Sequence, residues 1–250
     1  MAVEVFNRVE QKYLLSQEDF DVLLPLLNQH MNPDAYNADG KGYLISNLYF
    51  DTSSDELIIK SLEKPAYKEK LRLRSYGQVK DFSETVYLEI KKKFDGVVYK
   101  RRTQLTLRQA YDFIQGRDIP RDDEKINYQV LEEIKNMMLR YELKPKVFIA
   151  YERLAFFSKT DSDFRLTLDK NILTRRNDLK LESEIYGEKL LKDGEWIMEA
   201  KAFKSFPLWF AHFLTKRKIY RTSFSKYGNE FTKYKTSGSV KTDMEKNYEF

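Results

Sequence analysis

Arginine and lysine recur at alternate positions in several short stretches of this chain, the spacing that sets side chains on one face of an extended strand. Lys70, Arg72 and Arg74 alternate with Leu71 and Leu73, while Tyr87, Glu89, Lys91 and Lys93 alternate with Val86, Leu88 and Ile90. Lys100 and Arg102 repeat the spacing, as do Arg8, Glu10 and Lys12 near the start. Farther on, Arg153 follows Tyr151, Arg165 shares a face with Thr167 and Asp169, and Glu199 and Lys201 oppose Met198 and Ala200. Arginine grips phosphate oxygens with a planar fork and lysine acts as a point charge, so such faces suit a phosphate-rich ligand. Any one of these strands is also what a half-solvated sheet looks like. The bias of sign is more informative: Lys70, Lys93 and the other basic residues named here meet few carboxylates. Like charges set across neighbouring strands repel, and a sheet shaped by stability alone would intersperse acids. A polyanion lying against these faces would resolve the conflict.

The elements that position these residues follow from periodicity. Period-2 segments at Val5 to Lys12, Tyr43 to Asp51, Lys70 to Tyr76, Val86 to Lys93 and Val98 to Gln104 predict strands. Further strands are predicted around Ile149 to Arg153, Arg165 to Asp169 and Ile197 to Lys201, making about eight in all. Short turns such as Phe94-Asp95-Gly96 favour antiparallel pairing. Curling that sheet into a barrel would remove its edges while crowding the charges inside. Helices are predicted after Ser16, with Phe20, Leu23, Leu24 and Leu27 on the apolar side, and after Thr106, where Gln109 completes a capping box. Glu124 to Arg140 carries Ile126, Val130, Ile134, Met137 and Met138 at helical spacing, and Pro207 opens a last helix with Trp209, Phe210, Phe213 and Leu214.

Composition narrows the chemistry. Hydrophobic residues make up 42% of the chain and charged ones 33%, with seventeen Tyr and seventeen Phe, enough to build a substantial core. Glycine and proline are scarce, so no linker divides the chain; one domain over residues 1–230 and a polar tail over 231–250 are expected. There is no cysteine, and His30 and His212 lack ligand spacing, which leaves a hard cation on carboxylates and phosphate oxygens as the expected metal type. The net charge of +5 is modest, no apolar run approaches the roughly 20 residues of a membrane span, and the first residues do not resemble a signal peptide. A soluble, cytoplasmic protein is the expectation.

The run Arg8-Val-Glu10-Gln-Lys12-Tyr13 resembles a variant of the ExExK signature. Tyr49-Phe50-Asp51-Thr52, Lys70-Leu-Arg72-Leu-Arg74-Ser-Tyr76-Gly77, Glu89-Ile-Lys91 and Lys100-Arg-Arg102 follow in order. Then come Tyr151-Glu-Arg153, Arg165-Leu-Thr-Leu-Asp169, Met198-Glu199-Ala-Lys201, Pro207-Leu-Trp209 and Ser225-Lys226-Tyr227-Gly228. Together, over roughly residues 5–230, they are similar to the VTC (vacuolar transporter chaperone) domains of the triphosphate tunnel metalloenzymes, or CYTH superfamily. The resemblance implies an α+β fold: an eight-stranded antiparallel β-barrel or tunnel with a basic interior, flanked by helices.

It also implies a polyphosphate polymerase that moves the terminal phosphate of ATP onto a growing inorganic polyphosphate chain with Mn2+ or Mg2+. By motif, Lys12, Arg72, Arg74, Lys91, Lys100, Arg102, Arg153 and Arg165 would bind nucleotide and polymer, with Arg8 and Lys201 on the same walls. Tyr151 would add a hydroxyl, or simply pack. Lys226 would lie near the reacting phosphate, so Lys226, Arg72, Arg74 and Lys12 are the candidate catalytic residues. Glu199 would hold the metal; Glu10 and Glu89 are either further ligands or salt-bridge partners. Arg8 stands where hydrolytic relatives carry Glu, which weakens a metal cage and favours polymerisation. A tunnel triphosphatase and a non-enzymatic polyphosphate or nucleotide binder remain alternatives. Nucleic acid is not expected as a partner; a separate membrane partner is compatible with the chain, and its oligomeric state is left open.

Overall fold

In the computed structural model, residues 8–37, 40–119 and 123–246 are described, with Arg8 and residues 238–246 described for their backbone alone. The predicted strand residues Val5 to Asn7 and the Arg8 side chain therefore lie outside the described residues. The chain runs β1 (Arg8–Leu15), α1 (Gln17–His30), β2 (Met31–Pro33), a 3-10 turn (Ala35–Asn37), β3 (Tyr43–Asp51) and α2 (Glu56–Leu62). Next come β4 (Tyr67–Tyr76), β5 (Thr85–Phe94), β6 (Val97–Thr106), α3 (Leu107–Ile114), α4 (Tyr128–Tyr141) and β7 (Lys144–Ser158). The remainder is β8 (Arg165–Arg175), β9 (Glu188–Lys189), β10 (Trp196–Phe203), α5 (Leu208–Lys216), β11 (Arg221–Thr222) and α6 (Lys226–Lys246). All eight predicted strands are present, and β2, β9 and β11 are short additions of two or three residues.

These elements gather into two compact units, Met1–Leu44 with Tyr151–Ile172 and Leu191–Phe224, and Ile45–Ala150 with Leu173–Leu190 and Ser225–Phe250. In the first, the strands pair in the order β11, β1, β10, β8. β1 runs antiparallel to β10 over its whole length, from Arg8 opposite Phe203 to Leu15 opposite Trp196. That register sends Tyr13, Leu15, Met198, Ala200, Leu166 and Leu168 into one core with Phe20, Leu23 and Leu27 of α1 and Phe210 and Phe213 of α5. A slip of one residue would carry Lys12 and Glu199 into that core, so the apolar pattern fixes the register and with it the charged face. Ser16 and Asp19 form a reciprocal cap that starts α1. Phe20 stacks on Trp196 with centroids 4.1 Å apart.

In the second unit, β3, β4, β5 and β6 pair in sequence order, all antiparallel. Leu71 and Leu73 of β4, Val86, Leu88 and Ile90 of β5 and Leu105 of β6 are buried, as are Val130, Ile134 and Met137 of α4. Thr106 and Gln109 cap α3 reciprocally, as their spacing predicts. α4 begins at Tyr128, behind Asn127, rather than at Glu124, because the Asn127 side chain accepts the Val130 N–H and supplies the cap that Glu124 lacks.

The antiparallel α+β architecture with helices against the sheet is as expected. Among the described residues, the path of paired strands within neither unit returns to its start, so hydrogen bonds alone do not close a barrel in either. Pro207 caps α5 from outside instead of opening it, and α5 is not the last helix: α6 follows and runs through residue 230.

Candidate phosphate-binding site

Register turns the alternating lysines and arginines of the second unit into rungs that cross its strands. Tyr49, Arg72, Glu89 and Arg102 oppose one another from β3 to β6. The next rung is Lys70, Lys91 and Lys100, three ammonium groups in direct opposition. On the other side, Asn47, Arg74, Tyr87 and Gln104 align. Directly opposed like charges destabilise a sheet. Five cations, Arg72, Arg102, Lys70, Lys91 and Lys100, stand in two adjacent rungs, and three of them, Arg72, Lys100 and Arg102, lie within 4 Å of the Glu89 carboxylate.

Glu89 is the hub of this face. One of its oxygens accepts Nε (2.7 Å) and Nη2 (2.5 Å) of Arg72, and the other lies 3.0 Å from Lys100 Nζ and 3.9 Å from Arg102 Nη1. That second oxygen is buried and receives charge but no well-directed hydrogen bond. Burial pushes the Glu89 carboxyl upward, yet Arg72, Arg74 and Lys100 outweigh it and hold the group at about 2. Lys100 moves down from its ordinary value through burial, against the pull of Glu89.

Arg74 is buried, its Nε donating 2.8 Å to Asn47 Oδ1, while Asn47 Nδ2 donates 3.0 Å to the Ile149 carbonyl. Arg72 Nη1 lies 3.2 Å from the Tyr49 hydroxyl. Burial would raise that phenol, but Arg72, Arg74 and Lys70 bring it down to about 8. Arg102 lies over the Tyr87 ring at 4.8 Å, a contact that steadies the guanidinium without using its donors.

Lys226 opens α6 in the same unit. Ser225 beside it has its Oγ 3.5 Å from Lys70 Nζ, so the start of α6 sits at the three-lysine rung. Of the candidate catalytic residues, Arg72, Arg74 and Lys226 thus belong to the second unit, and Lys12 belongs to the first.

In the first unit, Lys12, Glu199 and Thr167 align across β1, β10 and β8, and Glu10, Lys201 and Arg165 form the next row. Glu199 lies 2.7 Å from Lys201 Nζ and 3.5 Å from Lys12 Nζ, and Lys12 also donates 3.0 Å to the Phe224 carbonyl. Glu10 reaches the same Lys201 ammonium at 3.4 Å. Burial raises the Glu199 carboxyl, while Lys201, Lys12 and Arg153 lower it further, to about 2. Arg153 forms a two-pronged pair with Asp169 at 2.6 and 2.8 Å and lies over the Tyr151 ring at 5.2 Å. Arg165 aligns with Lys201 but spreads its guanidinium over Phe157, 5.8 Å from the ring centre. Arg8 aligns with Phe203, its side chain outside the described residues.

Among the described residues, no group of three or more His, Asp or Glu is gathered as a metal cage. The pair Glu10 and Glu199 nonetheless holds one cation between its carboxylates, the ammonium of Lys201. Two carboxylate residues supply oxygen donors of the kind a hard divalent cation takes, and both are ion-paired with Lys201 here. Glu89 is likewise taken up by its arginine and lysine partners. The described residues also form two cavities, the second of them lined in part by Arg153. One of about 660 Å3 lies between the end of α3 and α4 around Leu131, Met138 and Leu139. Another, of about 640 Å3, lies by α1, Leu154 and Trp196. Tyr49, Asp51 and Asp169 were not assigned roles by sequence reasoning; the Tyr-Phe-Asp-Thr motif was the available signal for the first two.

The VTC domain family model matches residues 7–235 of this chain. A curated relative, vacuolar transporter chaperone complex subunit 2 of Saccharomyces cerevisiae, is 29% identical over 160 residues, covering 54% of this chain and 19% of the relative. The chain thus spans about a fifth of that relative's length. Among solved structures, a candidate adenylate cyclase from Bacillus halodurans superposes with a TM-score of 0.52 at 16% identity, covering 87% of this chain and 93% of that one. Another from Vibrio parahaemolyticus gives 0.44 at 13% identity, covering 89% and 96%. The first of these likenesses supports the fold and nothing finer.

Proposed function

The chain belongs to the VTC domain family, and we propose that it is a polyphosphate polymerase that extends inorganic polyphosphate with the terminal phosphate of ATP. The observation that carries this reading is the pair of rungs Arg72-Glu89-Arg102 and Lys70-Lys91-Lys100. Their repulsion is a cost to the folded chain that a phosphate polyanion relieves. A single compact phosphate would engage one rung, whereas consecutive phosphates of a chain engage both. Residues two apart on a strand are separated by roughly 6.5 Å, so the rungs offer successive grips along an extended ligand.

Transfer breaks the bond between the γ-phosphorus and the bridging oxygen, which leaves with ADP, and forms one to a terminal oxygen of the polymer. Such transfer needs alignment and neutralisation of charge more than covalent help. Arg72, fixed by Glu89 and Tyr49, presents a planar donor set to phosphate oxygens, and Arg74 is held in place by Asn47. Lys91, Lys100 and Lys70 act as point charges for the neighbouring phosphates, and Lys226 acts at the reacting one. In the first unit Lys12, Lys201, Arg153 and Arg165 bind further phosphate. Glu199, with Glu10, would hold a divalent cation such as Mn2+ or Mg2+, which neutralises phosphate oxygens when bound. Among the described residues no helix is long and apolar enough to cross a membrane.

Incubation of the purified protein with ATP and manganese, followed by a gel stained for polyphosphate and an assay of free phosphate, tests the reading. Polymer together with ADP is expected. Free phosphate without polymer would establish a triphosphatase instead, and neither product would leave a binding module.

A further inference from the structure

The motifs Tyr49-Phe50-Asp51-Thr52 and Ser225-Lys226-Tyr227-Gly228 lie 176 residues apart at Asp51 and Tyr227, yet they meet in one buried contact: the Tyr227 hydroxyl donates 2.9 Å to Asp51 Oδ2. We propose that Asp51 and Tyr227 are positioning residues that set Lys226 at the three-lysine rung. The inference rests on the reading that Lys226 acts on phosphate bound at that face.

Asp51 ends β3 with its side chain fully buried. Its carboxylate accepts the backbone N–H groups of Thr52 (2.8 Å), Leu57 (2.8 Å) and Ile58 (3.0 Å). It thereby caps α2, a task that Asp55, in the cap position with a left-handed backbone, does not perform with its side chain. The phenol of Tyr227 is the fourth donor, and it ties α6 to the same carboxylate.

The rest of the second motif fixes the first turn of α6. The Ser225 Oγ accepts the Gly228 N–H at 3.2 Å, and the Ser225 N–H donates 3.2 Å to Asn229 Oδ1. A Cβ at position 228 would stand 3.2 Å from Leu62 Cδ2, so glycine permits the close approach of α2 and α6. One residue past Asn229, Glu230 takes both prongs of Arg176 at 2.8 and 2.9 Å. The Ser225–Lys70 contact puts the start of α6, and Lys226 with it, where the basic rung ends. The Tyr227 ring also lies against Tyr49, centroids 5.3 Å apart, and Tyr49 touches Arg72. The Asp51–Tyr227 bond therefore sets the helix that carries Lys226 and abuts the tyrosine that braces Arg72.

Tyr227→Phe removes the hydroxyl and leaves the ring, the three backbone donors on Asp51 and the Arg176–Glu230 pair, so the variant should fold. With Lys226→Ala and the double variant, kcat and KM for ATP are measured in polymer synthesis, and the affinity for inorganic triphosphate by calorimetry. Loss of one hydrogen bond to a carboxylate predicts a kcat about tenfold lower for Tyr227→Phe, with KM for ATP within about twofold. The double variant should be no worse than Lys226→Ala, because residues acting as a unit are non-additive. Unchanged kcat in Tyr227→Phe, losses that add in full, or a harmless Lys226→Ala would each overturn the proposal. A wild-type protein that makes no polymer contradicts the polymerase reading instead. Triphosphate affinity then decides the inference: the same non-additivity supports it, and additive or absent losses overturn it.

Discussion

Glu89 gives one oxygen to Arg72, at 2.7 and 2.5 Å from Nε and Nη2, and turns the other toward Lys100 at 3.0 Å. A single carboxylate thus joins an arginine rung to a lysine rung. The arrangement makes Glu89 a counter-charge to both rungs of the basic face.

Its pH dependence follows. The Glu89 carboxyl is held at about 2, below its value in an unfolded chain. The stability this confers is complete above the unfolded-state value, roughly 4.3, and is lost as pH falls toward 2. A depression of that size corresponds to about 3 kcal/mol. Urea unfolding between neutral and strongly acidic pH should show this loss in the wild type and a flatter acid limb in Glu89→Gln. An identical acid limb in both would remove Glu89 as its cause.

Tyr49 offers a spectroscopic marker. Its phenol should ionise at about 8 because Arg72, Arg74 and Lys70 surround it against the effect of burial. Tyrosinate absorbance, taken as the difference from Tyr49→Phe, reads that ionisation. Arg72→Gln should move it upward, and saturating triphosphate, by neutralising the same cations, should do likewise.

Arg72→Ala and Arg74→Ala should each weaken triphosphate and ATP binding by about 1.5–3 kcal/mol, the range for a charge-assisted hydrogen bond. Both losses should also lower stability: Arg74→Ala strands a buried amide oxygen of Asn47, and Arg72→Ala takes both donors from one oxygen of the buried Glu89 carboxylate. Calorimetric titration and thermal melting together separate the two effects; unchanged affinity in both variants would mean that phosphate binds another face.

Glu199→Gln should abolish turnover and leave triphosphate affinity within a fewfold of wild type, since the variant removes a cation ligand and also frees Lys12 and Lys201. Retained turnover would remove Glu199 as the metal ligand.

Much of this was legible in the chain. Strand faces were readable because Leu71, Leu73, Leu88 and Ile90 alternate with the charges, and burial leaves little choice of face once one side is apolar. The Ser16 and Thr106 caps were readable because both partners lie within three residues. Register was not: nothing local dictates that Lys91 opposes both Lys70 and Lys100, since pairing is settled by contacts distant in sequence. Nor was the sharing of Glu89 among Arg72, Lys100 and Arg102. The helix carrying Lys226 was hidden by its composition, rich in Ser, Thr, Gly and Lys. Its hold on the fold comes from Tyr227 and Glu230, whose partners Asp51 and Arg176 are far along the chain.

The most direct test of the central claim follows the γ-phosphate itself. ATP labelled at that position is supplied with manganese and a short polyphosphate primer, and the label is partitioned between polymer and free phosphate while ADP is quantified. The account predicts label in lengthened polymer in the same amount as the ADP released. ADP matched by labelled free phosphate, with the primer unchanged, would contradict it.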